Sequence, residues 1–179
     1  MMRRLLVVGP VSAGKTRLSL AVAERTGLPH VELDAVRFDA NWNQLSEAEF
    51  REHVQRLAAE SAWIIDGNYA SVRDVVWRRA DTIAWLDYSR AVVLRRILWR
   101  TLRRIALRED LGDGRRERWT RLVGADSIIL WAVKSHGALR KEYERATEVY
   151  GSDVLVVRLR SPRETQRWLE HIESTPRTA

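Results

Sequence analysis

Gly9-Pro10-Val11-Ser12-Ala13-Gly14-Lys15-Thr16 follows the apolar run Leu5-Leu6-Val7-Val8. This octapeptide matches the pattern G-x-x-x-x-G-K-[ST], and it stands between a predicted strand and a predicted helix. Gly9 and Gly14 permit backbone conformations in which successive N–H groups point at one anion. Residues 9–16 are therefore expected to form a loop that binds nucleotide phosphates.

The last two residues of this loop carry the chemistry of the pattern. Lys15 is expected to reach the β- and γ-phosphates of a nucleotide, and the hydroxyl of Thr16 is expected to bind Mg²⁺. The helix that begins near Gly14 adds the positive end of its dipole at the same place. The sequence therefore predicts ATP and Mg²⁺ as ligands.

Composition narrows the class of protein further. The chain has 179 residues and no cysteine, which excludes a disulfide framework, a thiolate metal site and a cysteine nucleophile. The first apolar run has four residues before Gly9-Pro10 interrupts it, too few for a signal peptide or a membrane span. We expect a cytoplasmic protein with no membrane partner.

Short apolar runs alternate with amphipathic stretches along the chain. The runs predict strands over residues 5–8, 30–33, 62–65, 82–86 and 154–157. Helices are predicted over residues 15–26, 47–60, 72–79, 89–107, 119–136, 138–149 and 162–172. This alternation predicts an α/β fold of three layers, with a five-stranded parallel sheet covered by helices on both faces. We expect one domain over residues 1–173 and a flexible tail over 174–179.

Ligands of such sheets bind beyond the carboxyl ends of the strands, where several aspartates stand. Asp66 follows the third strand and is a candidate ligand of the metal ion, although it could instead cap a turn. Asp34 follows the second strand, where it could contact a metal-bound water, accept a proton from an attacking hydroxyl, or cap a helix. Asp87 is expected to cap the following helix.

Positive charge is concentrated in residues 90–121, where eleven arginines stand against four acidic residues. That excess equals the net charge of the whole chain, +7. In the predicted helix 89–107, the apolar stripe consists of Leu94, Ile97, Leu98, Leu102 and Ile105. The opposite face carries Arg96, Arg100, Arg103 and Arg104, and most of these arginines are expected to be solvated.

Residues 108–118 combine two glycines with dense charge and predict a mobile loop. Arg115 in this loop and Arg104 and Arg100 at its hinge are candidates to stabilise a transferring phosphoryl group, with a solvated loop as the alternative. Trp42 stands in an irregular polar stretch and is a candidate to stack on a base or ring.

The chain resembles adenylate-kinase-related P-loop proteins, above all those called DNA topology modulation proteins. The resemblance covers nearly the whole chain and lies in the following segments: Gly9–Thr16, Leu33-Asp34, Asn41-Trp42-Asn43, Ile65-Asp66-Gly67-Asn68-Tyr69, the arginine-rich helix and Arg158-Leu159-Arg160-Ser161-Pro162. It implies the nucleoside-monophosphate-kinase fold with strand order 2-3-1-4-5. It also implies an acceptor-binding region around 34–60, an arginine-bearing lid around 108–118, and adenine near Arg160 and Pro162.

The segment after the third strand departs from adenylate kinases. Those enzymes have Asp-Gly-x-Pro-Arg there, with the arginine on the acceptor phosphate, whereas this chain has Asp66-Gly67-Asn68-Tyr69 and its next arginine is Arg73. The leading hypothesis is a kinase that transfers the γ-phosphoryl group of ATP to a nucleotide or small-molecule acceptor. The alternative is an ATP-binding regulatory protein that contacts DNA or RNA through residues 90–121.

Overall fold

Five parallel strands form the centre of the computed structural model, which describes residues 2–38, 43–106, 128–150 and 154–172. The strands are β1 (Arg4–Val8), β2 (His30–Glu32), β3 (Trp63–Asp66), β4 (Thr82–Leu86) and β5 (Leu155–Leu159). They lie in the order β2-β3-β1-β4-β5. The predicted sheet and its strand order are confirmed.

Helices connect the strands. They are α1 (Lys15–Thr26), α2 (Leu33–Val36), α3 (Glu47–Ala59), α4 (Arg73–Arg79), α5 (Arg90–Ala106), α6 (Ile128–Tyr150) and α7 (Pro162–His171), with a 3-10 turn over Ala70–Val72 before α4. Ser46 and Glu49 form the predicted capping box at the start of α3. Ser161 caps α7 by accepting a hydrogen bond from the Glu164 N–H, and Pro162 occupies the first turn.

Two hydrophobic clusters pack against opposite faces of the sheet because side chains alternate along β1. Leu6 and Val8 face a cluster that includes Phe50 of α3, Trp77 of α4 and Tyr143 of α6. The other face of β1 packs against residues of α1, α5 and α7, which are Leu18, Val22, Val93, Ile97, Trp168 and Leu169. The predicted three-layer architecture follows from these contacts.

Several predicted details are wrong at the level of single elements. Leu33 opens α2 and does not end β2, so Asp34 lies in a helix. Helix α6 continues through Gly137, where a break was expected. In α5, Ile97 is buried as predicted, but Val93 and Thr101 are buried as well, and the predicted core residues Leu98 and Leu102 are exposed. Among the helices described, none is long and apolar enough to cross a membrane.

Asp87 is an ion-pair centre, which corrects the expectation that it caps α5. Its carboxylate is almost fully buried, and Oδ2 accepts hydrogen bonds from Arg158 Nε at 2.8 Å and from Arg140 Nη2 at 2.7 Å. The Arg158 guanidinium also stacks over the Trp85 ring, 4.2 Å from its centroid. This carboxylate therefore joins β5 and α6 to the end of β4.

Asp87→Asn should destabilise the protein strongly, because it leaves two arginines around a buried neutral amide. We expect the free energy of unfolding to fall by roughly 3 kcal/mol. This is the lower end of the range for breaking a buried ion pair, because both arginines are partly exposed to solvent. The control is Asp74→Asn, which breaks the exposed pair of Asp74 with Arg51 and should cost about 0.5 kcal/mol. Urea unfolding measures both variants, and equal losses would contradict this account of Asp87.

Candidate functional site

The loop 9–16 leaves β1 through backbone conformations that favour glycine. The φ angles are +153° at Gly9, +60° at Ser12 and +92° at Gly14, all in the left-handed half of conformational space. A Cβ on Gly9 would lie 2.8 Å from the Cβ of Leu86, so a side chain at this position would collide with β4. The loop therefore has the shape that its glycines predict, and Lys15 begins α1 directly behind it.

Lys15 is folded back over the loop. Its Nζ donates hydrogen bonds to the carbonyl oxygens of Gly9 at 3.2 Å and Pro10 at 3.4 Å. Burial lowers the pKa of the Lys15 ammonium, while the nearby carboxylates of Asp66, Asp34 and Glu32 act in the opposite direction. A buried ammonium beside several carboxylates is typical of functional sites, so Lys15 is a candidate to bind an anionic ligand.

Two carboxylates converge on the hydroxyl of Thr16. Its Oγ1 lies 3.2 Å from Glu32 Oε1 and 3.3 Å from Asp66 Oδ1. Glu32 and Asp66 are register partners at the ends of β2 and β3, which brings both acids to the same edge of the sheet. A hydroxyl has one proton to donate, so Thr16 cannot satisfy both acids at once.

His30 fixes the other side of the Asp66 carboxylate. His30 Nε2 lies 2.7 Å from Asp66 Oδ2, and the Asp66 side chain is almost fully buried. Asp66 is thus held by Thr16 through one oxygen and by His30 through the other. This arrangement fixes the orientation of the carboxylate relative to the phosphate loop.

The segment that follows Asp66 connects the phosphate loop to α2. A Cβ on Gly67 would lie 2.7 Å from the Cβ of Leu33, so the backbone passes directly against α2. The side-chain amide of Asn68 pairs with the backbone of Gly9. The hydroxyl of Tyr69 interacts with Asp34, and burial together with that carboxylate raises the pKa of Tyr69 to about 12.

Two arginines of α5 face the phosphate loop, which corrects the expectation of a solvated face for Arg96. Arg96 Nη1 donates a hydrogen bond to the carbonyl of Ala13, and its guanidinium lies 4.9 Å from the centroid of the Tyr88 ring. Arg100 is half-buried, and its charge contributes to the lowered pKa of Lys15. Both arginines therefore belong to the surroundings of the loop.

The predicted candidates separate into those that the structure brings together and those that it does not. Lys15, Thr16 and Asp66 lie together, and Asp34 lies close enough to affect the charge of Lys15. Arg160 is exposed just before α7, and its N–H donates to Glu164. Arg104 stands in the last turn of α5. Trp42, Arg115 and the loop 108–118 lie outside the described residues.

Sequence reasoning missed three residues of this site, namely Glu32, His30 and Asn68. Glu32 is the last residue of β2, whereas the predicted strand extended to Leu33 and only Asp34 after it was considered. His30 and Asn68 contact the site only through the pairing of β2, β3 and β1. No local pattern in the sequence signals those two contacts.

Two arginines on the side of the sheet that carries Phe50 and Tyr143 are held by acids. Arg37 is buried, lies over the Phe50 ring and donates to Glu47 at 2.6 Å. Arg73 donates to Glu142 of α6, also at 2.6 Å, and lies over the Tyr143 ring. Arg73 therefore joins α4 to α6.

A magnesium ion at Thr16 would need oxygen ligands from outside the protein. Across residues 2–38, 43–106, 128–150 and 154–172, no group of three or more His, Cys, Asp or Glu side chains could hold a metal ion. Mg²⁺ in phosphoryl-transfer sites uses one or two protein oxygens, waters and substrate phosphates. The donors at this position, one hydroxyl and two carboxylates, fit that mode of binding.

Comparison with solved structures defines the fold class. A sugar kinase from Janibacter sp. HTCC2649 aligns over 98% of this chain and 97% of its own, with 19% identity and a TM-score of 0.51. The shikimate kinase from Bacteroides thetaiotaomicron aligns over 95% and 96%, with 16% identity and a TM-score of 0.52. A gluconokinase from Sinorhizobium meliloti 1021 aligns over 94% and 91%, with 17% identity and a TM-score of 0.50.

These three proteins share the chain's overall architecture, so the chain has the same fold as they do. No protein-family model matches the sequence. No curated protein matches it either.

Gly67→Ala tests the close approach of the Asp66–Tyr69 segment to α2. Both Gly67 and Gly27 have positive φ, but only Gly67 is crowded, since nothing lies within 4 Å of a Cβ on Gly27. We expect Gly27→Ala to cost about 1 kcal/mol of unfolding free energy from backbone strain alone. Gly67→Ala should cost roughly 3 kcal/mol, because overpacking adds to that strain. Chemical denaturation measures both, and equal costs would contradict the crowding at Gly67.

Proposed function

We propose that this protein is an ATP-dependent kinase that transfers the γ-phosphoryl group to a hydroxyl of a small-molecule or nucleotide acceptor. The observation that carries the proposal is the convergence of Lys15, Thr16, Glu32 and Asp66 at the exit of β1. A lysine, a hydroxyl and buried carboxylates behind a glycine-rich loop are the parts that phosphoryl transfer requires.

The donor nucleotide would occupy the loop 9–16. The N–H groups of the loop and the start of α1 supply partial positive charge for the phosphates, and Lys15 would exchange the carbonyl oxygens of Gly9 and Pro10 for phosphate oxygens. Arg160 and Pro162 follow β5, where we propose that adenine lies. This placement rests on the resemblance to adenylate-kinase-related proteins.

Thr16 and Asp66 would hold Mg²⁺, with Glu32 as a third oxygen donor on the same side. Hydroxyl and carboxylate oxygens are the ligands that Mg²⁺ prefers, and the ion would neutralise charge on the phosphates. His30 would keep Asp66 in position for this role. Glu32 was absent from the sequence-based proposal and is added because it contacts Thr16.

Asp34 is the proposed base on the acceptor side. Its carboxylate would take the proton of the acceptor hydroxyl as the oxygen bonds to the γ-phosphorus and the bond from γ-phosphorus to the β-phosphate oxygen breaks, releasing ADP. The solvent exposure of Asp34 and its contact with Tyr69 support this role. We propose the acceptor region at residues 34–60 and a lid at 108–118.

Arginines would stabilise the charge on the transferring group. Arg104 and Arg115 remain the proposed contributors from the end of α5 and the lid, because cations that close over the phosphates lower the barrier and exclude water. Arg100, the other hinge candidate, is kept in this set because its charge acts on Lys15. Membership of the DNA topology modulation group is also a proposal, supported by the tetrapeptide Asp66-Gly67-Asn68-Tyr69 and the arginine-rich α5.

The alternative, a regulatory protein that binds nucleic acid through residues 90–121, predicts different behaviour. Backbone phosphate contacts would make DNA affinity fall steeply with salt and would give little sequence preference. Arg96, one arginine of this segment, is engaged with the Ala13 carbonyl and is not presented to solvent as a free cation. The site therefore favours the kinase.

Labelled ATP incubated with nucleoside monophosphates, nucleosides and hydroxylated metabolites tests the proposal. We expect Mg²⁺-dependent transfer to one acceptor class, with Lys15→Ala and Asp66→Asn each lowering the rate at least 100-fold, because they remove the main cation and a metal ligand. Lys141→Ala is the matched control, since Lys141 is an exposed lysine of α6, and it should retain the rate.

The outcome that contradicts the kinase is the absence of transfer to any acceptor, together with tight, salt-sensitive DNA binding that persists in Lys15→Ala. Loss of that binding when Arg103, Arg104, Arg115 and Arg116 become alanine would then establish the regulatory alternative.

A further inference from the structure

The side chain of Asn68 extends the pairing of β1 with β3 by one residue. Backbone pairing of these strands ends at Val7 and Asp66, and the Gly67 N–H still reaches the Val7 carbonyl at 3.5 Å. Beyond that point Asn68 supplies both hydrogen-bonding groups. Its Oδ1 lies 3.4 Å from the Gly9 N–H, and its Nδ2 donates to the Gly9 carbonyl.

The phosphate loop leaves the sheet at Gly9, and Gly9 is buried. A buried carbonyl without a hydrogen-bond donor costs free energy, since water cannot replace the lost partner. The Gly9 carbonyl accepts from two side chains, Asn68 and Lys15. Lys15 is also the residue that a bound phosphate must attract away from the loop.

We propose that Asn68 is a positioning residue of the phosphate site, an inference that rests on the proposed function. Asn68 keeps the Gly9 carbonyl satisfied when Lys15 turns toward phosphate oxygens, so Lys15 moves without leaving a buried acceptor unpaired. The Gly9 N–H lies 3.4 Å from Asn68 Oδ1, and the Tyr143 hydroxyl interacts with the Gly9 backbone as well, so the carbonyl contact is the one that depends on Asn68. Without Asn68, phosphate binding would compete with the Gly9 carbonyl for the ammonium of Lys15.

The position of Asn68 is itself fixed from both sides. Gly67 lies directly against Leu33, and Tyr69 interacts with Asp34 and packs edge-on against the Phe50 ring. Asn68 therefore cannot shift along the sheet with the loop. This rigid placement separates its role from that of a surface amide.

The inference predicts a selective loss of affinity for phosphate groups. In Asn68→Ala and in Asn68→Leu, which keeps the volume of the side chain, inorganic pyrophosphate should bind about 10-fold more weakly than in the wild type. Adenosine does not engage Lys15 and should bind equally to all three proteins. Gln55→Ala, which removes an exposed amide from α3, is the control and should change neither affinity.

Calorimetry measures pyrophosphate binding, ligand-observed NMR measures adenosine binding, and thermal unfolding verifies that each variant is folded. Unchanged pyrophosphate affinity in both folded variants overturns the inference alone. Equal losses for pyrophosphate and adenosine also overturn it, because they indicate a general structural effect. Pyrophosphate binding that is absent from the wild type, or retained in Lys15→Ala, overturns the proposed function with it.

Discussion

The burial of β1 between two parallel neighbours is the constraint on which the site depends. β1 pairs with β3 on one side and β4 on the other, and its apolar residues are shielded by helices on both faces. Every polar group at its carboxyl end must therefore find a partner in the loop that follows or in the adjacent strand ends. At Gly9 the partners are the side chains of Asn68 and Lys15. The backbone of Gly9 also passes so close to Leu86 that only a residue without a Cβ fits there.

The register of the sheet then determines which side chains meet. Pairing of β2 with β3 sets Glu32 opposite Asp66, and pairing of β3 with β1 brings Asp66 beside the start of α1. Two carboxylates, one hydroxyl and one ammonium are concentrated there because three strand ends converge. Such a cluster of charge is costly in a stable fold unless a ligand compensates it, which is the physical reason to assign it a function.

Much of this could be predicted from the sequence, because the deciding signals are local. The glycine pattern of the loop, the Ser46–Glu49 capping box and the apolar runs each depend on a few neighbouring residues. The structure contains the loop, the capping box and all five strands, with strand ends displaced by up to two residues. The residues that were missed depend on contacts across the sheet. His30 touches Asp66 over a separation of 36 positions, and Asn68 touches Gly9 over 59.

The errors in α5 have a similar origin. Hydrophobic periodicity identified the helix, but it placed Leu98 and Leu102 in the core and the arginines in solvent. The structure buries Ile97 as the stripe predicted, but it also turns Val93 and Thr101 inward and directs Arg96 at the Ala13 carbonyl, a contact that no periodicity encodes. The face that a helix buries depends on what lies beneath it, which here includes the phosphate loop.

Calorimetric titration of ATP with and without Mg²⁺, into the wild type and into Asp66→Asn, tests the central claim most directly. The account predicts one nucleotide per chain, a Mg²⁺-dependent gain in affinity of about 10-fold or more in the wild type, and loss of that gain in the variant. ATP binding that is equally tight with and without Mg²⁺, and unaffected by Asp66→Asn, would contradict it.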